Sequence, residues 1–231
     1  MNRTIQIIFV MLFCFLFLMK CKEPVAVANV DESENAGESV SADIKDVTNE
    51  VLPVSDYVKW VQDFKNGLRK EKKMDDLNFI LQYKPAEYIV CMEEREEKMY
   101  DTLLKSRVND LKEMQYYDLK IMLNKEEGEL LKYNLSSKEQ YEKRVNYFAF
   151  RMQDDIQLVE GKDTLPCVLY HFERTYDVAP YCTILVGFNL DTKNIQKQKT
   201  FLFHDRTFNK GLLKFTFKEN KLTNLPKLET I

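Results

Sequence analysis

Glycine and proline are scarce, at six residues each in a chain of 231. Collagen-like, low-complexity and linker-dominated proteins need far more of both. Histidine occurs only twice, as His171 and His204, and tryptophan once, as Trp60. The five cysteines include no Cys-x-x-Cys pair, and there is no His-x-x-x-His. Zinc fingers and peptidases of the His-Glu-x-x-His class are therefore excluded. Also missing are Gly-x-Gly-x-x-Gly, Gly-x-x-x-x-Gly-Lys-Ser/Thr and Gly-x-Ser-x-Gly. Nucleotide-binding loops and serine-hydrolase elbows lose their support with them. No excess of positive charge is present. Net charge is −3, and from Asp56 to Ile231 there are 30 basic and 29 acidic residues. Such a balance lacks the electrostatic footprint of a nucleic-acid binder. No cofactor and no metal ion are expected.

One long apolar run stands out. Arg3 is the single charge before Lys20, and Ile7 to Met19 is apolar throughout. A membrane span needs about 20 residues, so this run suits the core of an export signal. The alternative is a short anchor that stays uncleaved. The run ends in Leu18-Met19-Lys20-Cys21. This resembles the lipobox of bacterial lipoproteins, with a Leu three residues before a Cys. The resemblance implies a signal over residues 1–20 and lipid on the sulfur of Cys21, the mature N-terminus. Cys14, inside the run, has no such context. Lys22-Glu23 looks like the charged tag that carries some of these lipoproteins to the outer face of the outer membrane. The implied partners are the membrane, through the lipid anchor, and possible further envelope proteins.

Lys22 to Ser55 holds eight acidic and two basic residues, and Pro24 to Pro53 has no aromatic side chain. Such a segment cannot bury enough apolar area to offset its ordering entropy. Residues 21–54 therefore read as a lipidated Cys followed by an acidic, disordered tether. Residues 55–231 read as a single domain, long enough to bury a core.

Within it, Ser55 is a candidate cap for a helix whose apolar face is Tyr57, Trp60, Val61 and Phe64, stopped by Asn66-Gly67. Leu68–Lys73 and Leu77–Tyr83 read as a hairpin. Pro85 opens a helix expected to run to Lys112, with Ile89, Met92, Met99, Leu103 and Leu111 inside and the charge run Glu93–Lys98 solvated. Gln115–Leu123 alternates as a strand. Ser136 or Ser137 caps a further helix ending at Asp154-Asp155. A meander of four strands follows from Asp155 to Lys218, with Leu165–Arg174 and the apolar Tyr181–Leu190 at its centre, and Pro226 ends the regular structure. The fold class expected is α+β: an antiparallel sheet ending in a four-strand meander, with two to three helices packed on it.

Chemistry is concentrated in two polar knots. On a regular strand, His171 and Glu173 share one face with Cys167 and Leu169. His204-Asp205 closes another strand. If those strand ends met, His171, Glu173, His204 and Asp205 would be hydrolase candidates. Arg174 is expected to be satisfied by Glu173 or Asp177. Cys167 and Cys182 flank a turn whose register opposes Cys167 to about residue 188, so no bridge between them is expected. The function expected is a non-catalytic binding or structural module. The alternatives are a hydrolase built on the two knots and a carrier with a Phe- and Tyr-lined cavity for a small apolar ligand.

Overall fold

The computed structural model describes residues 50–124, 128–175, 179–190 and 197–231. The expected signal, Cys14, Cys21, most of the tether and Asp177 lie outside the described residues. The described chain falls in one compact unit, Ile44–Ile231.

It begins with β1 (Val51–Leu52) and α1 (Val54–Gln62). Tyr57 and Val61 are the buried side of α1, and Trp60 packs against the core. Ser55 does not cap this helix. Pro53 holds the cap position, and the Ser55 hydroxyl reaches only Asp56. Phe64, expected inside, is 45% exposed, because α1 ends at Gln62 and a 3-10 turn carries the ring under the Arg69 guanidinium. Gly67, at φ 82°, stops that turn in the left-handed region glycine favours.

β2 (Arg69–Met74) and β3 (Leu77–Lys84) form the expected hairpin, with Asp75 left-handed at φ 54°. The single helix expected from Pro85 to Lys112 is two: α2 (Ala86–Glu94) and α3 (Asp101–Leu111). Carboxylates in Glu93–Glu97 sit badly against the negative end of a helix dipole. Arg95 turns left-handed there, and its N–H closes on the Cys91 carbonyl. The break admits Met99 to the core at 1% exposure, whereas Met92, expected inside, is exposed. Glu93 and Glu94 then pair with Arg107 of α3, at 2.7 and 3.3 Å.

β4 (Met114–Leu123) alternates between half-buried and buried along its whole length. Ser137 caps α4 (Lys138–Asn146) by accepting the Gln140 N–H at 3.2 Å. A π turn and a 3-10 turn then end at Asp155. After it come β5 (Ile156–Glu160), β6 (Asp163–Pro166), β7 (Leu169–Glu173), β8 (Tyr181–Asn189), β9 (Lys199–Asp205) and β10 (Gly211–Phe217). The described chain closes with α5 (Glu219–Thr223) and β11 (Lys227–Leu228).

The fold is α+β, with antiparallel sheets packed with helices, but the closing strands do not form one meander. They divide between two sheets, ordered β2-β3-β4-β8-β7 and β10-β9-β5-β6. Leu165–Arg174, expected as one strand, breaks after Pro166, which has no N–H to continue a ladder. β6 stays with β5, while β7 crosses to β8 in the other sheet. Cys167 falls in the crossing and leaves the face it was expected to share with His171. Regular structure also continues past Pro226. Lys227 and Leu228 pair in parallel with Val51 and Leu52, which draws the start of the domain back from residue 55.

The two sheets face each other across an aromatic interior. The Tyr117 ring of β4 lies 5.7 Å from Phe201 of β9 and 5.6 Å from Phe217 of β10. Phe188 of β8 lies 5.9 Å from Phe201. These rings fill the space between the two sheets. Ile184 and Val186 are fully buried, as a central strand requires. On the outer face of β8, a Cβ on Gly187 would stand 2.6 Å from Met114 Cε and 2.9 Å from Leu169 Cβ, so only glycine fits.

Candidate functional site

The two polar knots lie on strands of different sheets. His171 and Glu173 lie on β7, an edge strand, where His171 is opposite Leu185. His204 lies on β9, opposite Leu212. Each histidine alternates with inward-facing neighbours, so the two sit on the outward faces of different sheets, and both are exposed. Among the described residues, no hydrogen bond or ion pair joins them. Asp205 is different. It is 3% exposed and accepts the backbone N–H groups of Thr207, Phe208 and Lys210 at 2.9, 3.1 and 2.8 Å. Its carboxylate closes the loop into β10. Arg174 reaches Tyr141 and Glu129 rather than Glu173. Among the described residues, no group of three or more His, Cys, Asp and Glu side chains is placed to hold a metal ion.

The thiols carry no sign of activation. Cys91, Cys167 and Cys182 are free. The Leu169–Gly187 register keeps Cys167 away from Cys182, as the turn implied. Burial pushes the Cys91 and Cys167 thiols each up to about 11, and the Cys182 thiol higher still. A nucleophilic cysteine requires the opposite.

A more specific site lies on the outer face of the five-stranded sheet. Register places Arg69, Gln82 and Asp118 side by side on β2, β3 and β4, with Ile80 and Lys120 in the next row. The end of α1 closes one side, because the Gln82 amide donates to the carbonyls of Val61 and Leu68 at 3.1 and 3.3 Å. Gln62 donates to the Tyr88 hydroxyl at 2.8 Å. The result is a pocket of about 200 Å³. Two buried polar atoms of its lining residues have no partner: Arg69 Nε, a donor, and Gln82 Oε1, an acceptor. Gln82 itself is only 7% exposed. Burial, and then the neighbouring Arg69 guanidinium, hold the Lys120 ammonium below the usual lysine range. The nearby carboxylate of Asp118 is already paired with Lys84, at 3.0 Å. Two cations therefore meet without a carboxylate dedicated to either. Nothing in the sequence of Leu68–Lys73 marked Arg69 out from its charged neighbours.

A third polar group is sealed between the sheets. Glu160 and Lys199 are direct partners across β5 and β9, at 0% exposure each, and Gln115 of β4 comes down on them from the facing sheet at 2%. Lys199 Nζ lies 2.6 Å from Glu160 Oε1 and 2.6 Å from Gln115 Oε1. Gln115 Nε2 donates to the same Glu160 oxygen at 2.7 Å. The Tyr117 hydroxyl stands 3.4 Å from Gln115 Oε1. Glu160 Oε2 is buried without a partner.

No protein-family model matches the chain, and no curated protein is similar to it. Among solved structures, a DUF4426 family protein from Pseudomonas aeruginosa PAO1 is similar at 8% identity over 65% of this chain and 91% of that one. The TM-score is 0.31, too low a likeness to carry fold or function across.

Proposed function

We propose that this chain is an exported lipoprotein, anchored in the outer membrane through Cys21, whose domain is a non-catalytic binding module for a small anion. Support for the anchor comes from the apolar run Ile7–Met19 ending in Leu18-Met19-Lys20-Cys21, followed by an acidic stretch. One acyl chain holds a protein only marginally, so lasting attachment requires more than one on that Cys. The observation that carries the binding reading is the pair of unpartnered buried atoms, Arg69 Nε and Gln82 Oε1, on two residues that line a pocket together with Lys120. An orphaned buried polar atom costs about 1–3 kcal/mol, and a ligand that satisfies it recovers that cost. Arg69 and Lys120 call for an oxyanion. Gln82 Oε1 calls for a donor on the same molecule. A small hydroxy acid or a monohydrogen phosphate supplies both.

Two measurements test this. Lactate and inorganic phosphate are the probes, with acetate, which lacks the donor, as the control. At least one probe should raise the melting temperature of the full chain, and acetate should do so less. Arg69→Met should remove the shift while leaving the urea midpoint of the free protein close to that of the parent. No shift with either probe at high concentration sinks the anion site. Separately, Cys21→Ser should abolish labelling by palmitate analogues and sedimentation with membranes, whereas Cys14→Ser should not. Continued labelling of the Cys21→Ser protein would make the apolar run an uncleaved anchor.

A further inference from the structure

The trio sealed between the sheets is independent of the anion pocket. Three polar side chains in an aromatic interior are costly to desolvate, and an apolar trio of similar volume would be at least as stable. Their arrangement nevertheless has the geometry of a reaction. Lys199 Nζ lies 2.6 Å from the carbonyl oxygen of the Gln115 side chain, whose carbon is one bond further on. A single oxygen, Glu160 Oε1, touches both the Lys199 nitrogen and the Gln115 amide nitrogen, at 2.6 and 2.7 Å.

We propose that Lys199 and Gln115 join in an amide bond that the chain forms on itself, with Glu160 as the proton carrier. The Glu160 carboxylate takes a proton from the Lys199 ammonium, leaving a neutral amine. The amine lone pair forms the Nζ–Cδ bond to Gln115, and the carbonyl electrons move onto Oε1. Tyr117 donates its hydroxyl to that oxygen as charge develops there. Its hydroxyl keeps its proton, because burial first, and then Tyr83 and Glu160, hold it well above the usual tyrosine range. The protonated Glu160 passes its proton to Gln115 Nε2. The Cδ–Nε2 bond breaks, and ammonia leaves, while the surplus proton on Nζ returns to Glu160. Lysine ammonium and glutamine amide become a secondary amide and ammonia, and Glu160 ends protonated. No oxidant, metal or outside reactant is required.

The interior supplies the rest. Holding the reacting groups together replaces a bimolecular encounter with an intramolecular one. The rings of Phe188, Phe201 and Phe217 packed around Tyr117 exclude water, the competing nucleophile. The bond would tie β4 of one sheet to β9 of the other, closing the sandwich covalently at one end. In the product, the protonated Glu160 has a new amide oxygen to donate to.

Peptide mapping by mass spectrometry of a protease digest of the full-length folded chain tests this. The expected product is a branched peptide joining the segments that contain Gln115 and Lys199, lighter than their sum by one ammonia. Glu160→Gln should yield the two linear peptides in its place, and Tyr117→Phe should slow the branch after refolding. The parent digest decides the matter even if those variants fold poorly. Recovery of both linear peptides from the folded parent overturns the proposal. So does a branch from Lys199 to Glu160 that is lighter by one water.

Discussion

The knots at His171 and His204 and the knot at Lys199 are opposites. The first two look like chemistry in the sequence and lie on the outward faces of separate sheets. The third looks like ordinary strand ends and is completely enclosed. Rare residue types drew attention to the histidines. Burial, which rarity does not control, sets how much a charged group matters. At the surface, water screens each imidazole and the Glu173 carboxylate. Between the sheets, the same kinds of groups depend on protein partners in place of water.

The comparison breaks most sharply at Lys199. Lys199→Met leaves the Glu160 carboxylate in the interior without its cation. A loss of about 3–5 kcal/mol is expected, read from the urea midpoint. A variant as stable as the parent would show that water reaches the trio. Asp205 is the intermediate case, a buried carboxylate inside a surface knot. Asp205→Ala orphans three backbone N–H groups and should cost about 1–3 kcal/mol by the same measurement. Alkaline pH probes the interior without mutation. Burial raises the Cys91 thiol from 9.0 to about 11 and the Tyr83 hydroxyl from 10.0 to about 12. Above pH 9 the unfolded chain releases these protons before the folded one does. Stability from these groups is therefore intact below pH 9 and declines as pH rises through their folded values. Urea midpoints at neutral and alkaline pH should fall in that order. The smallest effects belong to the residues that first attracted notice. His171→Ala and His204→Ala should each change stability by no more than about 0.5 kcal/mol. A larger loss would reveal a partner for one of them.

Several features were legible because they are local. Alternation in Tyr117, Leu119, Ile121 and Leu123 placed one face of β4 inside. Leu213, Phe215 and Phe217 did the same for β10. The β2–β3 hairpin, a cap at Ser136 or Ser137 and the helix end at Asp155 were also readable. The helix break at Arg95 was not, because burial of Met99 and the pairing of Arg107 across α2 and α3 decide it. Arg69 and Gln82 became a site only when the end of α1 closed over them.

From the sequence alone came the α+β class, most strand positions and the inward faces of β3, β4 and β10. Side chains alternate every two residues, whatever the strand pairs with. That rule even set Gln115, Glu160 and Lys199 at the ends of apolar faces, each indistinguishable from the polar terminus of an ordinary strand. Tertiary structure decided which sheet each strand joined, and so decided that the three ends coincide. β7 and β9 went to different sheets, parting the histidines. β4 packed over β5 and β9, uniting the trio. Such pairings join residues 39 to 84 positions apart. They are chosen by the burial of whole faces, to which no local stretch of chain has access.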